Sequence, residues 1–393
     1  MVYLDHNATT PVDPRVFDAM KPYLTDSFAN PSSIYRAGQD VRKAVDEARQ
    51  SVADLLGAAS REVYFTSGGT ESDNTAIKGI ALRRGSGHII TSAIEHPAVL
   101  EVVRWLEKHG FTATYVGVDS DGLVDPDDVK KAFRDDTIIV SVMHANNEVG
   151  TIQPIEEIAA IAHEKGVPFH TDAVQTAGKI KLDVNAMGID LLSLSAHKFY
   201  GPKGVGALYV RKGVKFDPCV HGGHQERGIR GGTENVAGIV GLARAAGIAA
   251  AEMARESARV KKLRDRLESG LAGRIDDIRF NGHREKRMYN TASVIVKYVE
   301  GEAMLLKLDY HGIAASSGSA CTSGSLDPSH VLLAMGLPAP LAHGSLRFSL
   351  GRATTREGID KVLEVLPPIV EGLRAMSAFP RDGSAEGSSC ANA

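Results

Sequence analysis

The sequence predicts an α/β protein with a large domain on a mostly parallel seven-stranded sheet covered by helices, plus a smaller α+β domain. Three observations predict it. Between about residues 38 and 211, short runs rich in β-branched or aromatic residues alternate with helical patterns, as strands joined by helical crossovers do. From Glu234 to about Gly270 the pattern becomes one long alanine-rich helix, of the kind that links two domains. The length, 393 residues, also exceeds one ordinary compact core.

Taken in order, the first helix is "DVRKAVDEARQSVADLLG", where Val41, Ala44, Val45, Ala48, Val52 and Leu55 recur at helical spacing and Gly57 closes the run. The strands are "VYFTS", "HIITS", "TATYVGV", "TIIVSVMHA", "PFHTDA", "LLSLSAH" and "GALYVR". After the long helix come the strand "TASVIVKYV", the helix "EAMLLKLDYHG", the strand "IAASSGSA", then "SLRFSLG" and a final helix. The expected division is a large domain over 15–255, a small domain from 1–14 and 256–376, and a disordered tail over 377–393. That tail is polar and glycine-rich, with too little apolar surface to fold.

Composition narrows the function. A net charge of -3 with Lys and Arg scattered along the chain gives no basic stripe, so neither nucleic acid nor a membrane surface is an expected partner. No apolar run of about 18 residues is expected to offer a membrane span, and "VYLDHNATT" after Met1 lacks the charged start and apolar core of a signal peptide. Cys219, Cys321 and Cys390 are odd in number and far apart, which suits a reducing compartment; a cytoplasmic protein is expected.

Ligands in such sheets sit where loops leave the strand ends, and the polar residues gather there. "VYFTS" runs into "GGTESDN" and a helix, so backbone N–H groups around Gly68, Gly69 and Thr70 converge on a helix N-terminus able to hold an anion. A plain strand-to-helix turn capped by the Thr70 hydroxyl would read the same. "SLSAHKFYGPKG" sets Lys198 at the end of an apolar strand, with Ser195 and His197 beside it as phosphate donors. A partly desolvated lysine there would be pushed toward the neutral amine that forms a Schiff base; a surface lysine leaving the strand is the alternative. "PFHTDAVQT" ends in Asp172, with Gln175 three residues on. That acid could cap a helix, bind a metal or pair with a protonated ring nitrogen. Pyridoxal 5′-phosphate needs a lysine, a phosphate site and an acidic partner for its pyridinium, so one cofactor accounts for three separate features. His96 in "SAIEHPAV" could stack on that ring and exchange protons, and Asn147 in "MHANNEVGTIQP" could hydrogen-bond cofactor or substrate. His221 and His224 in "HGGH" lack further ligands at metal spacing, so no metal is expected.

One motif remains outside this set. "SGSACTSGS" puts Cys321 among glycines and serines, which predict a mobile loop and a thiol that can reach out and react; an incidental cysteine reads equally well.

Together "YLDHNATTP", "FTSGGTESDN", "EHPAV", "HTDAVQT", "SLSAHKFYGPKGVGALYVR", "GGHQERGIRGGTEN" and "SSGSACTSGSLDPSHVLLAMG" resemble the NifS/IscS group of cysteine desulfurases. These are pyridoxal-phosphate enzymes of the aminotransferase class V type, and the resemblance covers about residues 2 to 370. It implies a fold-type I homodimer with active sites near the subunit interface. It also implies a reaction that takes sulfur from L-cysteine, leaves L-alanine and parks the sulfur as a persulfide on Cys321. A sulfur-acceptor protein, such as an iron–sulfur scaffold or a tRNA-thiolating protein, would then receive it. Lys198 would be the Schiff-base lysine, Asp172 the pyridinium partner, Gln175 the donor to the ring phenolic oxygen and His96 the stacking ring. Gly69, Thr70, Ser195 and His197 would hold the phosphate, and Thr233 in "RGGTEN" would reach the phosphate of the neighbouring subunit. Arg347 in "SLRFSLGR" would fork onto the substrate carboxylate, with Asn147 near the substrate. Cys321 lies in the longer loop pattern of the first subgroup rather than the "RxGxHC" pattern of the second. Ala196 stands where relatives carry glycine or serine, a small change. A selenocysteine lyase, a small-molecule class V aminotransferase and a non-catalytic scaffold are the rival readings.

Overall fold

The computed structural model describes residues 1–317 and 327–376. A short β1 (Val2–Tyr3) comes first, and then all seven strands expected of the large sheet. These are β2 (Val63–Thr66), β3 (His88–Ser92), β4 (Thr112–Val116), β5 (Thr137–Ser141), β6 (Phe169–Asp172), β7 (Leu191–Ser195) and β8 (Gly206–Val210). They form one seven-stranded sheet in the order β2-β8-β7-β6-β5-β3-β4. Pairing is parallel except at β8, which runs antiparallel to both β2 and β7. Only the turn from Ala196 to Val205 separates β7 from β8, too little chain for a helical crossover, so the chain doubles back.

Both faces of this sheet are buried, and the strand period of two distributes the side chains. Ile90, Val140 and Leu192 join one apolar cluster with Val45, Val52 and Leu56 of the helix Arg36–Leu56 and with Ile239, Leu242 and Ala246. Their chain neighbours Ile89, Ile139 and Leu191 join another with Ile77 and Ile80 of the helix Gly69–Arg84 and Val99 and Val103 of the helix Pro97–Glu107. The helix Arg36–Leu56 ends as its sequence predicts, at Gly57 with φ 67°, a left-handed conformation that glycine adopts without a Cβ clash.

The long helix spans Val236–Ala272 and serves two cores. Its first half packs on the large sheet, and Val260, Leu267 and Leu271 pack in a second core. Among the described residues it is the one helix long and apolar enough to cross a membrane by length and composition, although Arg244 interrupts the run and half of the apolar stretch is buried in the protein. The second core is built on β9 (Ile278–Asn281), β10 (Thr291–Val296), β11 (Ile313–Ala314) and β12 (Ser345–Ser349). β12, β10 and β9 form a three-stranded antiparallel sheet, and β1 pairs in parallel with β11, which carries Leu4 into this core. Neither β1 nor β9 is marked in the sequence by an alternating pattern. The strand expected over "IAASSGSA" narrows to β11 and an isolated bridge between Ser316 and Arg347; its last residues lie outside the described ones. The helix Arg356–Met376 follows, and the tail with Cys390 also lies outside.

Candidate active site

The carboxyl ends of β2, β3, β5, β6 and β7 open on a cavity of about 240 Å³. Its walls carry Gly69, Thr70, His96, Asn147, Asp172, Gln175, Ser195, His197 and Lys198, all expected at the site, and also Asp73 and Val174. A larger, shallower groove of about 680 Å³ at the other end of the sheet is lined by Arg83, Arg84, Lys212 and Lys215. The convergent polar groups are at the smaller cavity, and the chemistry is assigned there.

Each wall has a local cause. After β2, Gly68 takes φ 153° as the N-cap of the helix Gly69–Arg84, and no side chain caps it. Thr70 therefore sits in the first turn instead of capping the helix, and the first N–H groups are left at the cavity. A Cβ on Gly69 would meet Val174 Cγ2 at 2.7 Å, so the close packing of this helix start on the turn after β6 requires glycine.

His96 is the N-cap of the helix Pro97–Glu107, and its Nδ1 accepts the Ala98 N–H at 3.1 Å. That bond puts the proton of a neutral ring on Nε2. Burial, with the charge of Lys198 adding to it, holds the ring down to about 4, so it is neutral at physiological pH.

Asp172 ends β6 and is buried. Its Oδ1 accepts the Val174 N–H at 2.8 Å. Burial pushes the carboxyl up to about 6, against the Val174 hydrogen bond and the positive charge of Lys198. Asp73, wholly buried beside it, is also raised well above the ordinary carboxyl value, by burial first and then by the Asp172 charge. The positive charge of Lys198 favours the carboxylate form at Asp172.

Lys198 follows β7 in a single 3₁₀ turn, and its Nζ donates to the carbonyls of Asn7 at 2.7 Å and Ala8 at 2.8 Å. The Asn7 carbonyl also accepts from Gln175 Nε2 at 3.0 Å, while Gln175 Oε1 accepts from Lys179 Nζ at 3.2 Å. His197 Nδ1 lies 3.1 Å from Thr9 Oγ1, and burial with the nearby lysine charges brings its ring down to about 4.

Three expected residues are not on this wall. Arg347 is buried behind it, where Nη2 pairs with Asp5 Oδ1 at 2.8 Å and Nη1 donates to the Asn147 carbonyl at 3.1 Å. Its Nε, although buried, has no acceptor among the described residues. Thr233 is exposed on the loop before Val236. Cys321 lies outside the described residues.

Asn7, Ala8, Asp73 and Lys179 are the site residues that sequence reasoning missed. The first two act through carbonyls, which no side-chain pattern reveals. Lys179 reads as one charge in the loop "AGKIKLD", yet it is buried, and burial pushes its amine down to about 7.

Fold and site together define an α/β enzyme centred on a lysine, with a neutral imidazole and a buried carboxylate around the same cavity. Known proteins narrow the class. The chain belongs to the class V aminotransferase family, which matches residues 2–362, and within it to the cysteine desulfurases of the NifS/IscS group. It is 54% identical over 383 residues to the cysteine desulfurase IscS of Dictyoglomus turgidum, covering 97% of each chain. A solved NifS-like protein superposes with a TM-score of 0.89 at 41% identity, covering 94% of this chain and 99% of that one. The structure of SspA in complex with cysteine superposes with a TM-score of 0.80 at 40% identity, covering 90% and 99%.

Proposed function

We propose that the chain is a cysteine desulfurase that uses pyridoxal 5′-phosphate to take sulfur from L-cysteine, leaving L-alanine, with Cys321 receiving the sulfur as a persulfide. The observation that carries this reading is the meeting of Lys198, His96 and Asp172 on one cavity, in a chain so close to a cysteine desulfurase along its whole length. The similarity to SspA, whose structure holds cysteine, supports the same substrate.

The residues fit the cofactor. Asp172 offers a buried negative charge for a pyridinium, and Lys198 offers the amine. The helix start at Gly69 and Thr70, with Ser195 and His197, offers neutral donors for a phosphate. Gln175 Nε2 is the donor for the ring oxygen, since its Oε1 is taken by Lys179. The Nε of Arg347, without an acceptor among the described residues, supports a role in holding a carboxylate, for which the arginine would exchange its contact with Asp5.

When bound, the cofactor supplies a sink for the electron pair left by breaking a bond at the substrate α-carbon. Asp172 keeps the ring nitrogen charged. Lys198 Nζ would take and return the α-proton, and the neutral His96 ring, with its hydrogen on Nε2, would donate a hydrogen bond there without giving the proton up. Cys321 Sγ, as thiolate, would form the S–S bond to the substrate sulfur as the substrate Cβ–S bond breaks, with that bond's electron pair staying on the carbon fragment, which is protonated on the way to L-alanine. Both flanks of its stretch are tied beside the cavity: Ser316 pairs through its backbone with Arg347, and Ser329 Oγ donates to Glu148 at 2.5 Å.

The reading includes a homodimer in which Thr233 serves the partner subunit's phosphate. Exposed Phe17, Leu24, Phe28, Ile34 and Tyr35 supply apolar surface for a partner to cover. It also includes the division of the chain into 15–255 and 1–14 with 256–376, a cytoplasmic setting, and delivery of the sulfur to an iron–sulfur scaffold or a tRNA-thiolating protein. Alanine release from L-cysteine by the cofactor-loaded chain tests the reading, run beside Cys321→Ala. Wild type should release alanine and the variant should not. Alanine from both at equal rates would remove Cys321 from the reaction, and release from neither would remove cysteine as the substrate.

A further inference from the structure

The dipeptide Asn147-Glu148, at the loop after β5, touches two things that the reaction must bring together. The Asn147 carbonyl accepts from Arg347 Nη1 at 3.1 Å. The Glu148 side chain, 5% exposed, accepts the Ser329 hydroxyl at 2.5 Å. Ser329 is the N-cap of the helix His330–Ala334, where its Oγ takes the Leu332 N–H at 3.2 Å, so the Glu148 contact fixes the start of that helix. The dipeptide is itself clamped. Asn146 Oδ1 accepts the N–H groups of Glu148 at 2.8 Å and Val149 at 3.0 Å, and Asn146 Nδ2 donates to the Ile94 carbonyl at 3.0 Å.

A second tie reaches the same helix from the cavity wall: His330 Nε2 lies 2.9 Å from the carbonyl of Glu95, the residue before His96. Behind both ties, Val331, Leu332 and Met335 pack with Ile94, Met143 and Val149 in one apolar cluster. A fully buried carboxyl is an expensive way to cap a five-residue helix that its own serine already caps. Its placement is better explained by what it joins.

We propose that Glu148 is a positioning residue for sulfur transfer, holding Ser329, and with it the end of the chain that returns from Cys321, in fixed register with the Asn147–Arg347 contact. The inference rests on the reading of Cys321 as sulfur acceptor. Burial pushes the Glu148 carboxyl up to about 7, despite the Ser329 hydrogen bond and the Arg347 charge. An uncharged acceptor of the same shape should therefore serve as well. The expected effect falls on transfer and not on substrate binding.

The test compares Glu148→Ala and Ser329→Ala with the rescue variants Glu148→Gln and Ser329→Thr, all as full-length, cofactor-loaded protein. Persulfide on Cys321 is followed by mass spectrometry in a single turnover with L-cysteine, and binding of L-cysteine is followed by the absorbance of the bound cofactor. Both alanine variants should form persulfide about tenfold more slowly, the equivalent of ~1.4 kcal/mol of lost positioning, with the binding midpoint within about twofold of wild type. Both rescue variants should recover most of the rate. Ser329→Ala at the wild-type rate would overturn the inference, as would a Glu148→Gln protein as slow as Glu148→Ala. Should Glu148→Ala not fold, the serine pair decides alone. A wild-type protein that forms no persulfide would instead overturn the desulfurase reading, so the two failures are distinct.

Discussion

Glu226 and Arg49 form a buried ion pair whose loss should cost the fold heavily. Arg49 in the helix Arg36–Leu56 grips Glu226 with Nη1 at 2.6 Å and Nη2 at 2.8 Å, and the Phe65 N–H of β2 adds a third bond at 2.9 Å. Arg49 also donates to the Val63 carbonyl at 3.0 Å and stands 4.6 Å over the Phe65 ring. Glu226 and Arg227 hold φ of 45° and 58°, conformations that cost non-glycine residues about 1–3 kcal/mol each and need surrounding contacts to persist. In Glu226→Gln the amide oxygen still accepts from Phe65, but Arg49 loses its counter-charge while remaining buried. Breaking a buried pair in this way costs about 3–5 kcal/mol. The Val63 and Phe65 contacts that remain to Arg49 put the expected loss near the bottom of that range, about 3 kcal/mol. Adding Arg49→Met removes the stranded charge and should restore all but about 1 kcal/mol. Urea unfolding of wild type, both single variants and the double variant closes the cycle. A Glu226→Gln loss below about 1 kcal/mol, or a double variant as unstable as the sum of the singles, would refute the reasoning.

Two further outcomes follow from the same geometry. Gly69→Ala should push Val174 and the helix start apart, because the added Cβ would stand 2.7 Å from Val174 Cγ2; overpacking of about 1–3 kcal/mol should weaken retention of pyridoxal phosphate on dialysis by about tenfold, and unchanged retention would count against the helix start as the phosphate site. Asp13 is held down to about 2, chiefly by Arg15, with Arg352 adding to it. A carboxyl depressed in the folded state stabilises above its unfolded pKa of about 3.9, so Asp13→Asn should lower the melting temperature at neutral pH, with the difference from wild type vanishing as pH falls from about 4 to about 2. A difference that persisted at the acid end would mean that shape, and not charge, is responsible.

Much of this architecture is legible in the sequence because both faces of the large sheet are covered. Burial on both sides forces continuous apolar runs, so β3, β5 and β7 stand out as "HIITS", "TIIVS" and "LLSLS". The reversal at β8 is not read from the sequence, because run composition says nothing of direction. β1 stays hidden because two residues pairing with β11 from the far end of the chain make no periodic pattern. The site divides in the same manner. His96, Asp172, Ser195 and Lys198 are visible because polar side chains at the ends of apolar strands demand an explanation. Asn7 and Ala8 contribute carbonyls, and Asp73 and Lys179 are buried only by long-range packing, so local sequence carried no trace of them. Thr70 shows the limit of local chemistry: a threonine in the first turn reads as a cap, yet Gly68 holds that position because the chain needs φ 153° there.

The central claim is that sulfur from L-cysteine comes to rest on Cys321. The direct measurement is one turnover with L-cysteine labelled at sulfur, followed by digestion and mass spectrometry of the peptide containing Cys321. The account predicts labelled sulfur on that thiol, removable by a reductant, formed in step with alanine. Label appearing as free sulfide while Cys321 stays unmodified, or label on Cys219 in its place, would contradict it.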